Sequence, residues 1–346
     1  MLKWLLAGLV MVALAAGVAL WSYQRALDQP LALQTEQLLN VPAGSAPGRV
    51  LGQLEQDGVL SNAFWLRLYW RLDLDSPAMH SGEYRLVPGQ SARDLLHMWQ
   101  RGEVVQYNLT LVEGWNFRQL RAALANSEVL EQTLNELSNA DVMAKLGLEG
   151  VHPEGQFFPD TYRFVRGMSD EQLLKLAHAR LKQVLDEEWA ARAEQLPYRD
   201  AYEALIMASL IEKETGVPHE RAEIAGVFVR RLRLGMRLQT DPTVIYGMGE
   251  RYNGRITRAD LRLPTPYNTY TIDRLPPTPI AMVGREAIHA ALNPRDGKAL
   301  YFVAKGDGSH VFSNTLEAHN RAVREYQLKR RADYRSSPAP RAADTE

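Results

Sequence analysis

Two glutamates, Glu212 and Glu214, follow a stretch whose only polar side chain is a serine. Ala204 to Ile211 reads ALIMASLI, apolar apart from Ser209, and Glu212-Lys213-Glu214-Thr215-Gly216 follows at once. The run is rich in helix formers and holds no Pro or Gly, so it predicts a buried helix, stopped by Gly216 and Pro218. A carboxyl at the rim of such a helix loses water, which favours its neutral form and raises its pKa. An acid still protonated near neutral pH is what general-acid catalysis requires. The bland alternative is that both glutamates are solvated at the helix end and pair with Arg230 or Lys213. Periodicity does not choose between them. Glu212 continues the stripe of Leu205, Ala208 and Ser209, Glu214 that of Met207, Leu210 and Ile211, and on a helix apolar all round both stripes are apolar.

Other chemistries find little support. The 346 residues include no cysteine, which removes disulfides, thiolate nucleophiles and Cys-ligated zinc. The eight histidines do not cluster at ligand spacing, and no phosphate loop, GxGxxG turn, HExxH or serine-nucleophile signature occurs. No metal and no organic cofactor is therefore expected. The formal net charge of -1 gives no global field pointing to nucleic acid. What remains is carboxylate chemistry beside Gln, Asn, Thr, Tyr and aromatic side chains, the composition of a carbohydrate site. Ordinary glycosidases use two carboxyls, about 5 Å or about 6.5–9.5 Å apart; Glu214 or Asp241 would supply the second.

The elements that must position these groups are legible in outline. A second amphipathic helix runs from about His219 to Leu234 and ends at Gly235. The polar run Met236 to Thr243 follows, stiffened by Pro242. Pro264 to Tyr270 and Leu275 to Ile280 read as ordered coil, too apolar and aromatic for a linker. Upstream, Pro153 to Tyr162 packs two prolines, a glycine and three aromatics into a rigid loop of the kind that lines sites. Asn116 to about Leu146 reads as mostly helical with a stop at Gly147, and Ser169 to Leu196 as a charged helix. Leu300 to Ala304 and His310 to Ser313 read as a hairpin about Gly306-Asp-Gly-Ser309. A polar helix then runs from Thr315 to about Arg331.

A strand–turn–helix device recurs nearer the amino terminus: Val41-Pro-Ala-Gly-Ser45, Val87-Pro-Gly-Gln-Ser91 and Val112-Glu-Gly-Trp-Asn116 each lead into a short amphipathic helix. Its spacing is irregular, so it is no solenoid. The aromatics of Phe64 to Leu72 read as core rather than a sugar-stacking platform. Trp4 to Trp21 carries no charge; at about 1.5 Å per residue it just spans a hydrocarbon core. Lys3 precedes it, Arg25 follows, and Trp21 and Tyr23 sit at interfacial positions. An uncleaved anchor is preferred to a signal peptide cut after Ala13-Leu14-Ala15, because the apolar run continues past that site. With the amino terminus inside, the body faces outward.

Taken together, ASLIEKET, ERAEIAGVFVRRL and GMRLQTDPTVIYG, with EGQFFPDTY before them and PYNTY, LPPTPI, YFV and HVFSNTLEAHN after, resemble the YceG-like endolytic murein transglycosylases, from about Val41 to Arg331. The resemblance implies an α+β chain. In it a transmembrane anchor (1–21) and a linker or stalk (22–40) precede a small LysM-like α/β module (41–108). A mixed α+β catalytic domain (109–331) and a disordered tail (332–346) follow. It implies a single pass through the inner membrane at residues 4–21, with a cytoplasmic amino terminus and a periplasmic body. Its substrate would be peptidoglycan, cut within nascent glycan strands, in the neighbourhood of penicillin-binding synthases; no segment is a legible docking motif for the latter. The first glutamate of the family's EKET motif is its catalytic acid, and it falls on Glu212. Candidate substrate-binding groups around it are Gln239, Thr240, Asp241, Tyr246 and Asn268, with Glu154 as a sugar ligand or loop stabiliser. Two rival readings remain: an inactive anchored glycan-binding scaffold, and a lysozyme-type hydrolase using Asp241 or Glu214.

Overall fold

A computed structural model describes residues 2–74 and 79–328. The expected tail over 332–346, and the end of the polar helix expected to reach about Arg331, lie outside them. The chain is mixed α+β and divides into two compact units. The first holds residues 1–109 with 128–131 and 163–169; the second takes the remainder.

The first unit opens with α1 (Leu2–Asp28), long and apolar enough to cross a membrane. Its last turn is not free. Ala26 and Leu27 are buried, Tyr23 meets Trp65 edge-on at 5.7 Å, and Arg93 donates to Gln24 and Asp28. Strand β1 (Gln37–Val41) follows, then α2 (Pro47–Gln56), α3 (Ala63–Leu72), β2 (Gly82–Leu86) and α4 (Ala92–Arg101). β1 and β2 pair antiparallel, Val41 opposite Gly82 and Gln37 opposite Leu86, so two helices lie between paired strands. Of the stretch 22–40 expected as a linker, 22–28 continue the helix and 37–40 belong to a paired strand. The aromatic run on α3 turns Leu66, Tyr69 and Trp70 inward, while Phe64 stays exposed. Trp99 on α4 is fully buried against Trp70 and Tyr84, at 6.0 and 6.4 Å. α4 begins with a capping box of Ser91 and Asp94 and stops at left-handed Gly102.

Strands β3 (Tyr107–Thr110) and β4 (Thr161–Phe164) form a second two-stranded sheet. In the second unit, α5 (Phe117–Ala125) is capped by Asn116 and Gln119. The helix expected from Asn116 to Leu146 is not continuous. α5 ends at Ala125 and α6 (Asn139–Lys145) starts afresh on a Ser138 cap. Between them Arg121 takes the carbonyls of Leu134, Asn135 and Leu137, satisfying backbone that a helix would have paired internally.

After α7 (Asp170–Ala190) comes α8 (Ala201–Glu214), capped by Asp200. Every residue from Ala204 to Ile211 is buried, at the centre of a core shared with α7, α9 (Arg221–Arg233), α10 (Asp241–Met248) and α12 (Arg285–Leu292). The lone polar residue of that run is fully used: Ser209 Oγ donates to Ile206 O at 2.7 Å and accepts from Ile280 N at 3.0 Å. α9 stops at left-handed Gly235, and the polar run beyond it opens α10, with Pro242 at its start. The short α11 (Arg258–Arg262) leads into the coil that ends at Gly284. β5 (Tyr301–Ala304) and β6 (His310–Ser313) form the expected hairpin, and α13 (Leu316–Val323) follows on a Thr315 cap.

At Gly226, inside α9, a Cβ would run into the carbonyl of Arg295 and the guanidinium of Arg230. Gly226→Ala is therefore expected to destabilise the second unit by about 1–3 kcal/mol, against the usual gain from removing a helical glycine. Thermal melting checks this; an unchanged or higher midpoint would refute the close approach.

Candidate active site

Because α8 has no exposed face along its body, its final turn delivers three charged side chains into different surroundings. Glu212 is 7% exposed. Its Oε2 accepts from Gly284 N at 3.3 Å, and its Oε1 lies 3.6 Å from the Arg221 guanidinium. Arg221 also pairs with Glu286 and reaches Glu113 at 3.8 Å, while its buried Nε has no partner. Burial pushes the Glu212 carboxyl above the ordinary range and Glu113 adds to that; Arg221, the Gly284 amide and Lys213 oppose it. The alternative in which Arg230 or Lys213 pairs with these glutamates by a hydrogen bond is not what the structure shows. Arg230 holds the carbonyls of Ala299 and Arg295, and Lys213 donates to Gly114 O at 3.1 Å.

Glu113 comes from the Val112 to Asn116 turn. Two backbone bonds hold it there, Gly114 N to Met282 O at 2.9 Å and Met282 N to Trp115 O at 2.7 Å. They bring the Glu113 carboxylate over Gly284, where any Cβ would overlap it. Neither Glu113 nor Arg221 was singled out from sequence. Both lie inside motifs read there, but nothing local says that they meet.

Glu214 accepts from Thr240 Oγ1, and burial pushes it up to about 7. Thr240 is buried in a knot of hydroxyls with Thr243 and Thr269. Asp241 is exposed and accepts from Tyr270 OH at 2.6 Å. Gln239 is exposed, with φ at +53°, a left-handed conformation unusual for a residue with a side chain. Asn268, 1% exposed, has its amide spent: Nδ2 donates to the carbonyls of Asp260, Leu261 and Leu263, and Oδ1 accepts from Tyr270 N.

A cleft of about 990 Å³ opens in the second unit, lined among others by Asn116, His152, Glu154, Lys213 and Tyr246. Glu154 is 4% exposed. Its Oε1 accepts from Phe117 N, at the start of α5, at 2.9 Å, and its Oε2 accepts from Tyr246 OH at 3.0 Å. Burial pushes it up to about 7 against those two donors and Lys213. Gly155, at φ +73°, lets the loop turn behind it; a Cβ there would stand 2.5 Å from Pro279. The cleft wall includes Lys213 and Gly114, chain neighbours of Glu212 and Glu113, but not Glu212 itself. The fold thus brings Glu154 to Tyr246 and Thr240 to Glu214. Gln239, Thr240, Asp241 and Asn268 lie outside the cleft wall. Among the described residues no group of three His, Asp or Glu is arranged to hold a metal ion. Chemically, the end of α8 and the cleft offer desolvated acids able to give up a proton near neutral pH.

Known proteins share this arrangement of segments. The model of the YceG-like family matches residues 39–325. The chain is similar to the endolytic murein transglycosylase of Bacillus subtilis (strain 168), 30% identical over 324 residues, 88% of this chain and 89% of that protein. It is 27% identical over 356 residues to the endolytic murein transglycosylase of Streptococcus pneumoniae serotype 2 (strain D39), where the match covers 92% of this chain and 64% of the longer relative. A 2.6 Å crystal structure of a YceG-like protein from Listeria monocytogenes aligns with a TM-score of 0.51 at 30% identity, covering 84% of this chain and 99% of that one.

Glu214 binds its proton more tightly in the folded chain, near 7, than at its ordinary value of 4.5. Its contribution to stability is therefore complete below about 4.5 and is lost as pH rises through 7. Glu214→Gln should remove on the order of 1–3 kcal/mol of pH-dependent stability. Urea unfolding at pH 5 and pH 8 should show a smaller difference for the variant than for the parent; equal differences would refute it.

Proposed function

The chain belongs to the YceG-like family, and from that premise we propose that it is an endolytic murein transglycosylase that cuts nascent glycan strands at the β-1,4 bond between N-acetylmuramic acid and N-acetylglucosamine. The observation that carries the reading is Glu212, a desolvated acid on the last turn of a helix buried all round, with one amide donor and one guanidinium beside it. Protonated, it gives its proton to the leaving glycosidic oxygen. The resulting carboxylate is stabilised by Arg221 and the Gly284 amide, and takes the proton of the C6 hydroxyl of the same muramic residue. That oxygen closes on C1 to give a 1,6-anhydro end, while the departing sugar keeps a free 4-hydroxyl. Atoms balance without water, so no second carboxylate is needed, and proximity within one sugar replaces a bound nucleophile. Opposing influences of Glu113 and Arg221 on one carboxyl suit a group that must be acid first and base second.

In this reading the glycan strand occupies the cleft, with the scissile bond at its Lys213 end, and Glu154 and Tyr246 lie along its path. Gln239 and Asp241, exposed outside the cleft wall, meet sugar hydroxyls only where the strand extends past the cleft. Thr240 and Asn268 hold the segments that carry them. The paired strands with two helices between them support a LysM-like module that takes in the expected 41–108 and begins earlier, with β1 at Gln37. α1 serves as a single-pass inner-membrane anchor, amino terminus inside and body periplasmic, supported by Lys3 before the apolar run and the aromatics after it. Strand termination beside penicillin-binding synthases follows from the family resemblance.

Mass spectrometry of products from uncross-linked glycan strands, using the full chain in detergent, tests the reading. Ends lighter than the hydrolytic product by one water are expected, reduced roughly 10²–10⁴-fold in Glu212→Gln with melting unchanged. Reducing ends would mean a hydrolase; activity near that of the parent in the variant would move the acid elsewhere.

A further inference from the structure

Glu154 and Tyr246 form a buried acid–phenol pair on the cleft wall, and no step of the mechanism above uses it. The two carboxyl oxygens of Glu154 are not equivalent. Oε1 faces the Phe117 amide at 2.9 Å, and an N–H can only donate, so Oε1 must accept. Oε2 faces the Tyr246 hydroxyl at 3.0 Å, which can donate or accept. An ionised Glu154 therefore takes the phenol hydrogen. A protonated Glu154 carries its hydrogen on Oε2, donates it to the phenol oxygen, and leaves the phenol hydrogen to turn elsewhere. Tyr246 is partly exposed on the cleft wall. Its neighbour Tyr267, with ring centroids 4.8 Å apart and its hydroxyl engaged with Thr278 at 2.9 Å, also lies within hydrogen-bonding reach of the Tyr246 hydroxyl, and is the acceptor that a sugar oxygen must replace.

Resting on the reading of the cleft as a glycan site, we propose that Glu154 is a positioning residue acting through Tyr246: holding its proton, it frees the tyrosine hydrogen to bind a sugar oxygen, and losing it, it withdraws that hydrogen from the cleft. The groups facing Glu154 are Tyr246 from α10, the Phe117 amide from α5, Lys213 from α8, and the Gly155 amide and His152 from its own loop. Lys213 favours the ionised form. Burial pulls His152 below its ordinary value, which favours its neutral form, and its Nδ1 accepts from Glu154 N at 3.3 Å. Arg118 and Glu250 on the cleft rim pair with each other at 2.9 Å. The exchange falls where the carboxyl titrates, about 7.

Binding of soluble uncross-linked GlcNAc–MurNAc oligosaccharides to the full-length Glu212→Gln chain in detergent, measured by calorimetry from about pH 5.5 to 8.5, isolates this effect from catalysis. Affinity should fall about three- to tenfold as pH rises through about 7, the worth of one net hydrogen bond. Adding Glu154→Gln should leave binding tight and flat with pH. Its carbonyl keeps the Phe117 amide and its NH₂ donates permanently to Tyr246. Adding Tyr246→Phe should leave binding weak and flat, which tests the idea even if the Glu154 variant does not fold. Binding to Glu212→Gln that does not vary with pH, or a pH dependence that survives either added substitution, overturns the proposal while leaving the glycan cleft standing. No binding at any pH overturns the glycan reading of the cleft, and the proposal with it.

Discussion

A helix packed on every side has nowhere to hide a polar group except at its end, and α8 concentrates the consequences there. From Ala204 to Ile211 its body carries one hydroxyl, which is consumed by Ile206 and Ile280. After Glu203 in the first turn, paired with Arg199 and Arg274, the next residue able to carry charge is Glu212, and it arrives already desolvated by the core that made the helix. Glu214, two residues on, inherits the same desolvation but only a threonine as partner. Burial of the helix and acidity of its terminus are therefore one physical fact, since the packing that stabilises the second unit also raises the proton affinity of its last turn.

Much of this was legible from local signals. The apolar run, the Gly and Pro stops, the Ser91 and Asn116 caps and the Gly306 hairpin each act within a few residues, and their outcomes followed; the first turn of the same kind differs, since α2 starts at Ala46 and Pro47 with no side-chain cap from Ser45. What was not legible depends on distant meetings. Arg221 and Arg230 lie on the same helix and only geometry decides which faces Glu212; Arg230 is taken by the carbonyls of the segment before β5. Glu113 is far from Glu212 in sequence and reaches it because the 114–115 backbone pairs with Met282. The break between α5 and α6 arises from a guanidinium gathering carbonyls, a tertiary choice that helical propensity does not register.

The candidate sugar ligands divide on the same principle. Residue type alone cannot say whether an amide or hydroxyl is free. Asn268 and Thr240 have the right chemistry for a sugar, but Asn268 spends its amide on backbone carbonyls and Thr240 its hydroxyl on Glu214. Asp241 and Gln239 stand exposed. Glu154 was readable as a polar residue in a rigid loop; its two unlike partners, one fixed donor and one reversible phenol, come from three separate elements converging.

The docked end of α1 sets the mechanics of the tether. From Trp21 to Asp28 the helix runs on without a break for about 10 Å, and Tyr23, Gln24, Leu27 and Asp28 are gripped by the first unit. With α1 as the anchor, no slack cord separates the lipid from that unit. Tilting or rotating such a span would turn the first unit with it, at a stand-off from the headgroups set by the helix rather than by diffusion of a coil.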